Sequence, residues 1–410
     1  MAEPGLTDRD FGLRLDGDGP LGVAVSGGGD SLALLYALHD WGRRPLHVFC
    51  VDHGLNPDSQ AWTEGVANHA NTVGAEFTAL NWQGDKPGTG LSAAARQARH
   101  RMLAQAARKH GIRVLCLGHT RDDIAEAGLM RKDGSNVTPP QEWAPSPAWP
   151  EGRGVFLYRP FLDVRRHTLR AYLKHRAVAW LDDPANADPR SARVRARLSL
   201  PDDLPPLDAT QPLLNPDLAT ALIDDSLADF GLITFRSPVF DALPQDTAIR
   251  LLSAAIVSAG GGNKLPRRAE LESLISNLAK PRTLAGARIW RDHVQLHIAR
   301  EPGDIARHPR PDDDGTLWDG RFAVSQPAVA SGAARPKLND ADRSALLRLP
   351  VPLRASQPVV QTHLATNPAL RHGPYNSWLA SCWVLWRFLA VAGLYIRESD
   401  LVSTVDATRR

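Results

Sequence analysis

The chain has 410 residues, 43% of them hydrophobic and 23% charged, which predicts an ordinary globular protein of two or three domains. Its 48 basic and 45 acidic side chains leave a net charge of +3, which excludes a wholly basic nucleic-acid-binding protein. The three cysteines form no C-x-x-C pair, so a disulfide scaffold, structural zinc and an iron–sulfur cluster are disfavoured. The sequence shows neither a signal peptide nor an apolar run of transmembrane length. A cytoplasmic protein with no membrane partner is therefore predicted.

The first 120 residues alternate short apolar runs with longer helical patterns. The predicted strands are 21–25, 46–51, 76–82 and 113–118. All but the third are nearly continuously apolar, as is typical of strands buried on both faces of a parallel sheet. The proline-rich residues 132–154 are predicted to form a long irregular loop. Because strands and helices alternate, the predicted fold class is α/β, with a doubly wound parallel sheet.

The later part of the sequence predicts further domains. We assign 1–200 to the catalytic domain and interpret the proline- and aspartate-rich residues 201–217 as a linker. Residues 218–300 combine helical patterns with a strand-like tail, which indicates a mainly helical second domain. Residues 301–410 form a C-terminal extension whose role the sequence does not indicate, with one clear helical pattern at 376–393.

A glycine-rich turn joins the first predicted strand to an apolar helix. Its residues are Ser26, Gly27, Gly28, Gly29, Asp30 and Ser31. Consecutive glycines let the backbone approach an anion closely, and the start of the following helix favours phosphate. Asp30 is the candidate ligand for a magnesium ion that bridges the phosphates. The alternative is a plain turn in which Asp30 or Ser31 only caps the helix. No lysine follows the turn, so it is not a Walker loop.

This turn resembles the SGGxDS signature of the PP-loop ATP pyrophosphatases, which cleave ATP between its α- and β-phosphates and adenylate an acceptor. Five later strings narrow the resemblance: VDHGL at 51–55, ARQARH at 95–100, GHTRDDIAEAGLMR at 118–131, RPFLDVRRHTLRAYL at 159–173 and DDPANADPRSARVRAR at 182–197. In that order and spacing they resemble the tRNA(Ile)-lysidine synthetase family over residues 20–200. The resemblance implies a ligase that uses ATP and Mg²⁺ to adenylate the wobble cytidine of tRNA(Ile) with a CAU anticodon. L-lysine would then displace AMP and form lysidine.

Other ATP-binding candidates lie where predicted strands and helices end. Asp52 and His53 follow the second strand and His119 follows the fourth, at the edge where doubly wound sheets bind ligands. For Asp52 and His53 the alternative is a capping aspartate and a surface histidine. Arg96 and Arg99 stand three apart on one helical face, and the resemblance implies that one of them stabilises phosphate charge. Their alternative is a solvated helix face.

Three acids, Asp122, Asp123 and Glu126, cluster just after the fourth strand. We expect them to face the same crevice as Asp30 and to serve a cation, either magnesium or a substrate ammonium. The alternative is helix-start chemistry, in which acids favour the first turn and Asp122 is the N-cap. The complete set of candidate catalytic residues is Asp30, Arg96, Arg99, Asp122, Asp123 and Glu126.

A basic stretch at 159–197 carries ten basic and four acidic side chains. Such a concentration of charge is typical of a surface that binds a nucleic-acid backbone. The candidate tRNA-binding residues are Arg190, Arg193, Arg195 and Arg197. The alternative is a set of surface and core-capping arginines. A homodimer is left open by the sequence.

Two other functions compete with the ligase. One is another PP-loop tRNA-modifying enzyme of the thiolase type, which is disfavoured because Cys50, Cys116 and Cys382 all lie in apolar runs. The other is a non-catalytic nucleotide-binding regulator that kept the glycine-rich loop and lost its acceptor site. Pyrophosphate release in the presence of lysine and the isoleucine tRNA would separate the three functions.

Overall fold

A computed structural model gives the fold of most of the chain. The described residues are 11–84, 86–134, 137, 139–149, 151–182, 192–201, 204, 218, 221–262, 265–308, 310, 317–324, 327–332, 338–366, 381–382, 384–392 and 398. They form two compact units. Unit 1 comprises residues 1–211 and 396–403, and unit 2 comprises 212–395 and 404–410. Within the described ranges, no helix combines the length and the apolar character that a membrane crossing requires.

The core of unit 1 is a six-stranded sheet. Its strands are β1 Leu21–Ala24, β2 Leu46–Asp52, β3 Glu76–Asn81, β4 Val114–Leu117, β5 Trp143–Pro145 and β6 Phe156–Tyr158. Their order is β3-β2-β1-β4-β6-β5, and every pairing is parallel except that of β5 with β6. β1 and β4 are almost wholly buried, which explains their uninterrupted apolar sequences. The predicted doubly wound parallel sheet is confirmed.

Among the described residues of unit 1, six α-helices accompany these strands. They are α1 Gly29–Trp41, α2 Ser59–Thr72, α3 Leu91–Lys109, α4 Arg121–Lys132, α5 Arg166–His175 and α6 Ala192–Leu198, and a short 3-10 helix, Phe11–Leu13, precedes them. The chain adds strands on one side of β1 and then returns to add β4 and β6 on the other side. The point where strand order reverses lies between β1 and β4. Doubly wound sheets bind their ligands at the carboxyl ends of the strands on either side of such a point.

The proline-rich segment after α4 is more ordered than its sequence predicts. Instead of an irregular loop throughout, it contains β5, which pairs antiparallel with β6. Trp143 in β5 is buried and stacks on Tyr158, with ring centroids 4.5 Å apart. Pro145 is tolerated because β5 is the edge strand, where a missing backbone N–H breaks no ladder. Aromatic burial therefore decided the structure of a segment whose proline content suggested a loop.

Unit 2 is built on a five-stranded antiparallel sheet. Its strands are β7 Ile223–Asp224, β8 Ile233–Arg236, β9 Arg282–Leu284, β10 Ala287–Arg291 and β11 Gln295–Arg300, in the order β7-β8-β11-β10-β9. The helices beside them are α7 Ser237–Asp241, α8 Gln245–Ala259 and α9 Arg268–Ile275, with a 3-10 helix at Ala228–Phe230. The predicted strand-like tail is the β10–β11 hairpin. β7, β8 and β9 were not anticipated, because each has only two to four residues.

The C-terminal extension belongs to unit 2 except for residues 396–403, which belong to unit 1. Its described helices are α10 Pro302–Arg307, α11 Asp340–Arg348, α12 Val351–Arg354 and α13 Val384–Ala392. Its short strands are β12 Leu317–Trp318, β13 Phe322–Ala323, β14 Ala328–Ala330, β15 Pro358–Val360, β16 His363–Leu364 and β17 Ser381–Cys382. Within the helical pattern at 376–393, Ser381–Cys382 form β17 and Val384–Ala392 form α13, and the remaining residues of the pattern lie outside the described ones. Val384 and Phe388 in α13 belong to the same buried apolar cluster as Leu252 and Ile256 in α8. The extension therefore shares the core of the second unit.

Candidate active site at the carboxyl edge of the parallel sheet

The glycine-rich turn connects β1 to α1, as its sequence predicts. Ser31 accepts a hydrogen bond on Oγ from the backbone N–H of Ser26 (3.2 Å) and donates one to the carbonyl of Gly28 (2.9 Å). Gly28 is the N-cap of α1 and offers no side chain to cap it. The first amides of α1 therefore have no intrahelical acceptor, and together with the helix dipole they form a site for an anion.

Close packing explains why this turn needs its glycines. Gly27 has a φ of +83°, and a Cβ there would lie 2.7 Å from Leu181 Cδ1. Leu181 also donates its backbone N–H to the Gly27 carbonyl at 2.9 Å. A Cβ on Gly118, at the end of β4, would lie 2.6 Å from the backbone oxygen of Asp30. The turn is thus held between β4 and the 180–181 segment, and a side chain at either glycine would displace it.

Asp30 lies at the start of α1 with one carboxylate oxygen paired and one unpaired. Oδ2 accepts a hydrogen bond from Arg166 Nε at 2.9 Å. Oδ1 is buried and has no hydrogen-bond partner among the described residues. Burial raises the pKa of the Asp30 carboxyl, and the neighbouring Arg166 only partly opposes that rise. A buried carboxylate oxygen without a partner fits a cation, because pairing with a positive charge would offset its desolvation.

Two of the acids after β4 have separate structural tasks. Thr120, not Asp122, is the N-cap of α4, and it forms a capping box with Asp123. Asp123 Oδ2 accepts from the Thr120 backbone N–H at 2.7 Å and from its hydroxyl at 2.8 Å. Asp122 instead accepts from the backbone N–H of Arg166 at 2.9 Å and from Arg165 Nε at 3.2 Å. The helix-start interpretation is therefore correct for Asp123, whereas Asp122 ties α4 to the start of α5.

Glu126 is the centre of a cluster of arginines. Its carboxylate is completely buried and accepts from Arg166 Nη1 at 3.0 Å, Arg193 Nε at 2.9 Å and Arg197 Nε at 2.8 Å. Arg193 also donates to Asp123 Oδ1 at 2.5 Å. Burial alone would lower the pKa of Arg166, but the surrounding carboxylates raise it. We call these residues the acid–arginine cluster; its members are Asp30, Asp122, Asp123, Glu126, Arg165, Arg166, Arg193 and Arg197. Its four acids and four arginines balance in charge.

A second group of arginines has no such compensation. Arg96, Arg99 and Arg159 contact no carboxylate among the described residues, and Arg99 Nε is buried without a hydrogen-bond partner. Burial and the charges of Arg96 and Arg193 lower the pKa of Arg99 to about 10. Burial and the charges of Arg96 and Arg99 lower that of Arg159 to about 10. Burial and the charge of Arg193 lower the pKa of Arg96. This arginine triad, as we call the three residues, is a site prepared for an anion.

The histidines around the triad are neutral. Arg159 Nε donates to His119 Nδ1 at 3.2 Å, so His119 carries its proton on Nε2. Burial, with the charge of Arg159, lowers the pKa of His119 to about 3. Burial also lowers the pKa of His53, and Arg99 adds to the effect. His53 Nδ1 is buried and has no hydrogen-bond partner among the described residues. The centroid of its ring lies 5.8 Å from that of Trp82, and the two rings are perpendicular. These histidines can donate or accept hydrogen bonds but do not carry charge at neutral pH.

The remaining predicted residues are placed as follows. Asp52 Oδ1 accepts a hydrogen bond from the Gly54 backbone N–H at 2.7 Å, so its observed contact is a local one within the turn that follows β2. Arg190 lies outside the described residues. Arg195 is exposed on α6, on the opposite face from Arg193 and Arg197. The predicted role of these arginines in tRNA binding stays a prediction, and the observed partners of Arg193 and Arg197 are carboxylates.

Three arginines of this site were not singled out from the sequence: Arg159, Arg165 and Arg166. They entered the sequence analysis as part of the string at 159–173 and of the basic stretch, without a role assigned to any of them. Their position offered a usable indication, because Arg159 directly follows β6 and β6 is the parallel neighbour of β4. Side chains after a parallel strand beside the reversal point face the ligand crevice. The residues that follow β6 therefore belong to the same ligand edge as those that follow β1, β2 and β4.

Comparisons with known proteins show what the chain is similar to. A family profile described as a PP-loop domain matches residues 11–204. A tRNA(Ile)-lysidine synthase from Caulobacter vibrioides is 42% identical over 363 residues, covering 83% of this chain and 84% of that protein. One from Hyphomonas neptunium is 33% identical, covering 82% and 94% respectively. Among solved structures, the U34-tRNA thiolase NcsA from Methanococcus maripaludis is 16% identical over 45% of this chain and 65% of its own, with a TM-score of 0.38.

Proposed function

The chain belongs to the tRNA(Ile)-lysidine synthase family, and from that premise we propose which of its residues perform each step of the reaction. A member of this family is an ATP-dependent ligase that forms a carbon–nitrogen bond. We propose that the carbonyl oxygen of the wobble cytidine attacks the α-phosphate of ATP and that pyrophosphate leaves. The lysine amine then displaces AMP from the base. Both steps depend on positioning and on stabilising charge, because the reacting atoms belong to the substrates.

The triphosphate is proposed to lie on the turn 26–31. The amides at the start of α1 support this position, since Gly28 has no side chain to cap them. Asp30 Oδ1 is proposed to hold Mg²⁺, and its burial without a partner is the single observation that carries the proposal. A magnesium ion held by Asp30 would supply positive charge to the phosphates. The rest of the positive charge that the leaving pyrophosphate needs must come from side chains.

The arginine triad is proposed to supply that charge. Arg96, Arg99 and Arg159 bear three positive charges without a contacting carboxylate, so an anion gains from all three at once. His119, held in one tautomer by Arg159, adds a neutral Nε2–H donor. In a buried setting such preorganised donors stabilise developing charge strongly. We therefore place the leaving group of adenylation here rather than in the acid–arginine cluster.

The acid–arginine cluster is proposed to receive lysine. Its carboxylates are already paired with guanidinium groups, so a lysine ammonium has to replace one of them. Arg193 is the replaceable partner, because its side chain is 41% exposed while Arg166 is only 13% exposed. Released from Asp123 and Glu126, Arg193 could bind a tRNA phosphate instead. Because a tRNA phosphate would draw Arg193 away from the carboxylates that lysine needs, tRNA would bind before lysine.

The competing functions have less support. Burial raises the pKa of Cys50 to about 11 and raises that of Cys116 further, so neither supplies a thiolate for sulfur transfer. A regulator without catalysis would have no need for a buried, unpaired carboxylate beside the phosphate turn. As substrates we propose tRNA(Ile) with a CAU anticodon and L-lysine, and as location the cytoplasm. All the proposed catalytic residues lie in unit 1 of one chain, and a homodimer stays an open prediction.

Pyrophosphate release and transfer of labelled lysine, measured with the isoleucine tRNA, test this function. The wild-type protein should release pyrophosphate only with tRNA present and should transfer lysine to it. Asp30→Ala should remain folded and lose pyrophosphate release, whereas Asp58→Ala, an exposed acid at the start of α2, should keep it. Full turnover by Asp30→Ala would remove Asp30 from the reaction. Binding of ATP without release in the wild-type protein would favour the regulator.

A further inference from the structure

A second cluster of ligand-type side chains lies at the other edge of the parallel sheet. His47 is the second residue of β2, Glu76 is the first residue of β3, and His110 directly follows α3. β2 and β3 are parallel, and His47 pairs in register with Glu76. Both residues therefore lie at the amino edge of the sheet. The turn 26–31 lies at the carboxyl edge, so this cluster is separate from the proposed active site.

The three side chains converge on one point. One ligand atom from each residue can be chosen so that all three lie within 4.8 Å of one another. His47 Nδ1 is 3.0 Å from Glu76 Oε2, and the rings of His47 and His110 have centroids 4.2 Å apart. Ligands about 2.0–2.2 Å from a tetrahedral zinc ion stand roughly 3.3 Å apart. The His47–Glu76 pair already has nearly that spacing, and only His110 must move closer.

The environment of each side chain suits this arrangement. His47 is buried, stacks on Phe49 with ring centroids 4.5 Å apart, and pairs through Nε2 with the hydroxyl of Thr78 at 2.8 Å. A hydrogen bond to the second ring nitrogen is how metal-binding histidines are usually held in one orientation. Glu76 and His110 are both exposed, so their side chains can adjust around an ion at little cost.

We propose that His47, Glu76 and His110 bind a divalent transition-metal ion of the zinc class, with water completing its coordination. Two imidazole nitrogens and one carboxylate oxygen are a ligand set that zinc accepts readily. The site uses no cysteine, which is why the cysteine pattern of the sequence did not indicate it. The ion would join β2, β3 and the end of α3. Because α3 carries Arg96 and Arg99, the site would stabilise the position of two arginines of the triad without taking part in the reaction.

The cluster also has a metal-free arrangement, which is the rival outcome of the test. In that arrangement His47 Nδ1–H donates to Glu76 and the Thr78 hydroxyl donates to His47 Nε2. Every polar atom of His47 is then satisfied without an ion, and the His110 ring only packs against the rings of His47 and Phe49. The two arrangements differ in one respect that can be measured, because only the metal site uses a ring nitrogen of His110 as a ligand.

Calorimetric titration of the full-length protein with zinc chloride, after treatment with EDTA and in excess Mg²⁺, tests the proposal. The Mg²⁺ occupies the site proposed at Asp30 and limits zinc binding there. We expect one zinc ion per chain. His110→Ala and Glu76→Gln should each weaken binding at least about tenfold, and Thr78→Val, which removes only the orienting hydroxyl, should weaken it by about 10- to 100-fold. His39→Ala, which removes an exposed histidine of α1, should bind as the wild type does.

Thermal unfolding with and without zinc gives a second measurement on the same variants. Zinc should raise the melting temperature of the wild-type protein and of His39→Ala, and should raise that of His110→Ala much less. His110 is exposed, so its truncation leaves the core intact. Absence of saturable zinc binding in the wild type, or equal binding by His110→Ala, would overturn the proposal. Lysidine formation by zinc-free protein should be unaffected by His110→Ala, so failure of this site would be distinct from failure of the proposed function.

Discussion

Replacement of Glu126 by Gln is the sharpest test of the acid–arginine cluster. The Glu126 carboxylate is completely buried and accepts hydrogen bonds from Arg166, Arg193 and Arg197. Gln keeps the shape of the side chain and one carbonyl acceptor. It loses the negative charge, and its amide presents donor hydrogens to guanidinium groups that have nothing to accept them. The substitution therefore removes the charge with little change in volume.

The stability lost in Glu126→Gln depends on the contacts that each arginine keeps. Breaking a fully buried ion pair costs about 3–5 kcal/mol, but Arg193 and Arg197 are 41% and 33% exposed, so water solvates them after the loss. Arg193 and Arg166 also keep their contacts with Asp123. The loss should therefore be nearer to that of one hydrogen bond to a charged group than to that of a buried ion pair. We expect the free energy of unfolding to fall by about 2 kcal/mol. For a unit of this size the melting temperature should fall by roughly 4–8 °C.

The two half-reactions locate the functional effect. Pyrophosphate release with tRNA and ATP reports adenylation, and transfer of labelled lysine to preformed adenylated tRNA reports the second step. If Glu126 receives lysine, Glu126→Gln should raise the lysine requirement by roughly 10- to 100-fold while adenylation continues. Glu64→Gln, on an exposed face of α2, is the matched control and should change neither quantity. An unchanged melting temperature together with unchanged lysine dependence would refute the cluster. Loss of adenylation with normal lysine affinity would place Glu126 in the ATP–magnesium site.

Further predictions concern the triad, the buried histidines and the surface of α6. Arg99→Ala should lower the adenylation rate by roughly 10²- to 10³-fold, whereas Arg101→Ala, half-exposed on the same helix, should leave it unchanged in the same rapid-quench measurement. Burial, with the charges of Arg99 and Arg96, lowers the pKa of His100 in the folded chain to about 2. The unfolded chain binds a proton there below about pH 6.5, so stability should fall by about 1.4 kcal/mol per pH unit below that point, and urea midpoints should show a shallower slope for His100→Gln. If Arg195 binds a tRNA phosphate, Arg195→Ala should reduce the slope of log affinity against log salt by about 0.7–0.9, and an unaltered slope would make it a solvated surface residue.

Local sequence determined the fold class and the glycine-rich turn of the site. Nearly continuous apolar runs predicted the buried strands β1, β2 and β4, because a strand covered on both faces has few polar residues. The glycine-rich string 26–31 predicted the phosphate turn, since only glycines allow the close approach that Leu181 imposes on Gly27. These features depend on neighbouring residues along the chain, so they can be predicted without knowledge of the fold.

The tertiary structure alone decided which charges neutralise each other. Asp30 and Arg166 are 136 residues apart in sequence, and Glu126 is 67 residues from Arg193, yet each pair is hydrogen-bonded. Sequence reasoning counted these arginines as a nucleic-acid-binding surface, because charge composition records the sign of a side chain and not its partner. Arg99 lies on a helix just as rich in basic residues but has no contacting carboxylate among the described residues. Whether an arginine is paired with a carboxylate depends on which side chains meet where the parallel strands bring their carboxyl ends to one edge. The spacing of residues along the sequence carries no information about which side chains meet there.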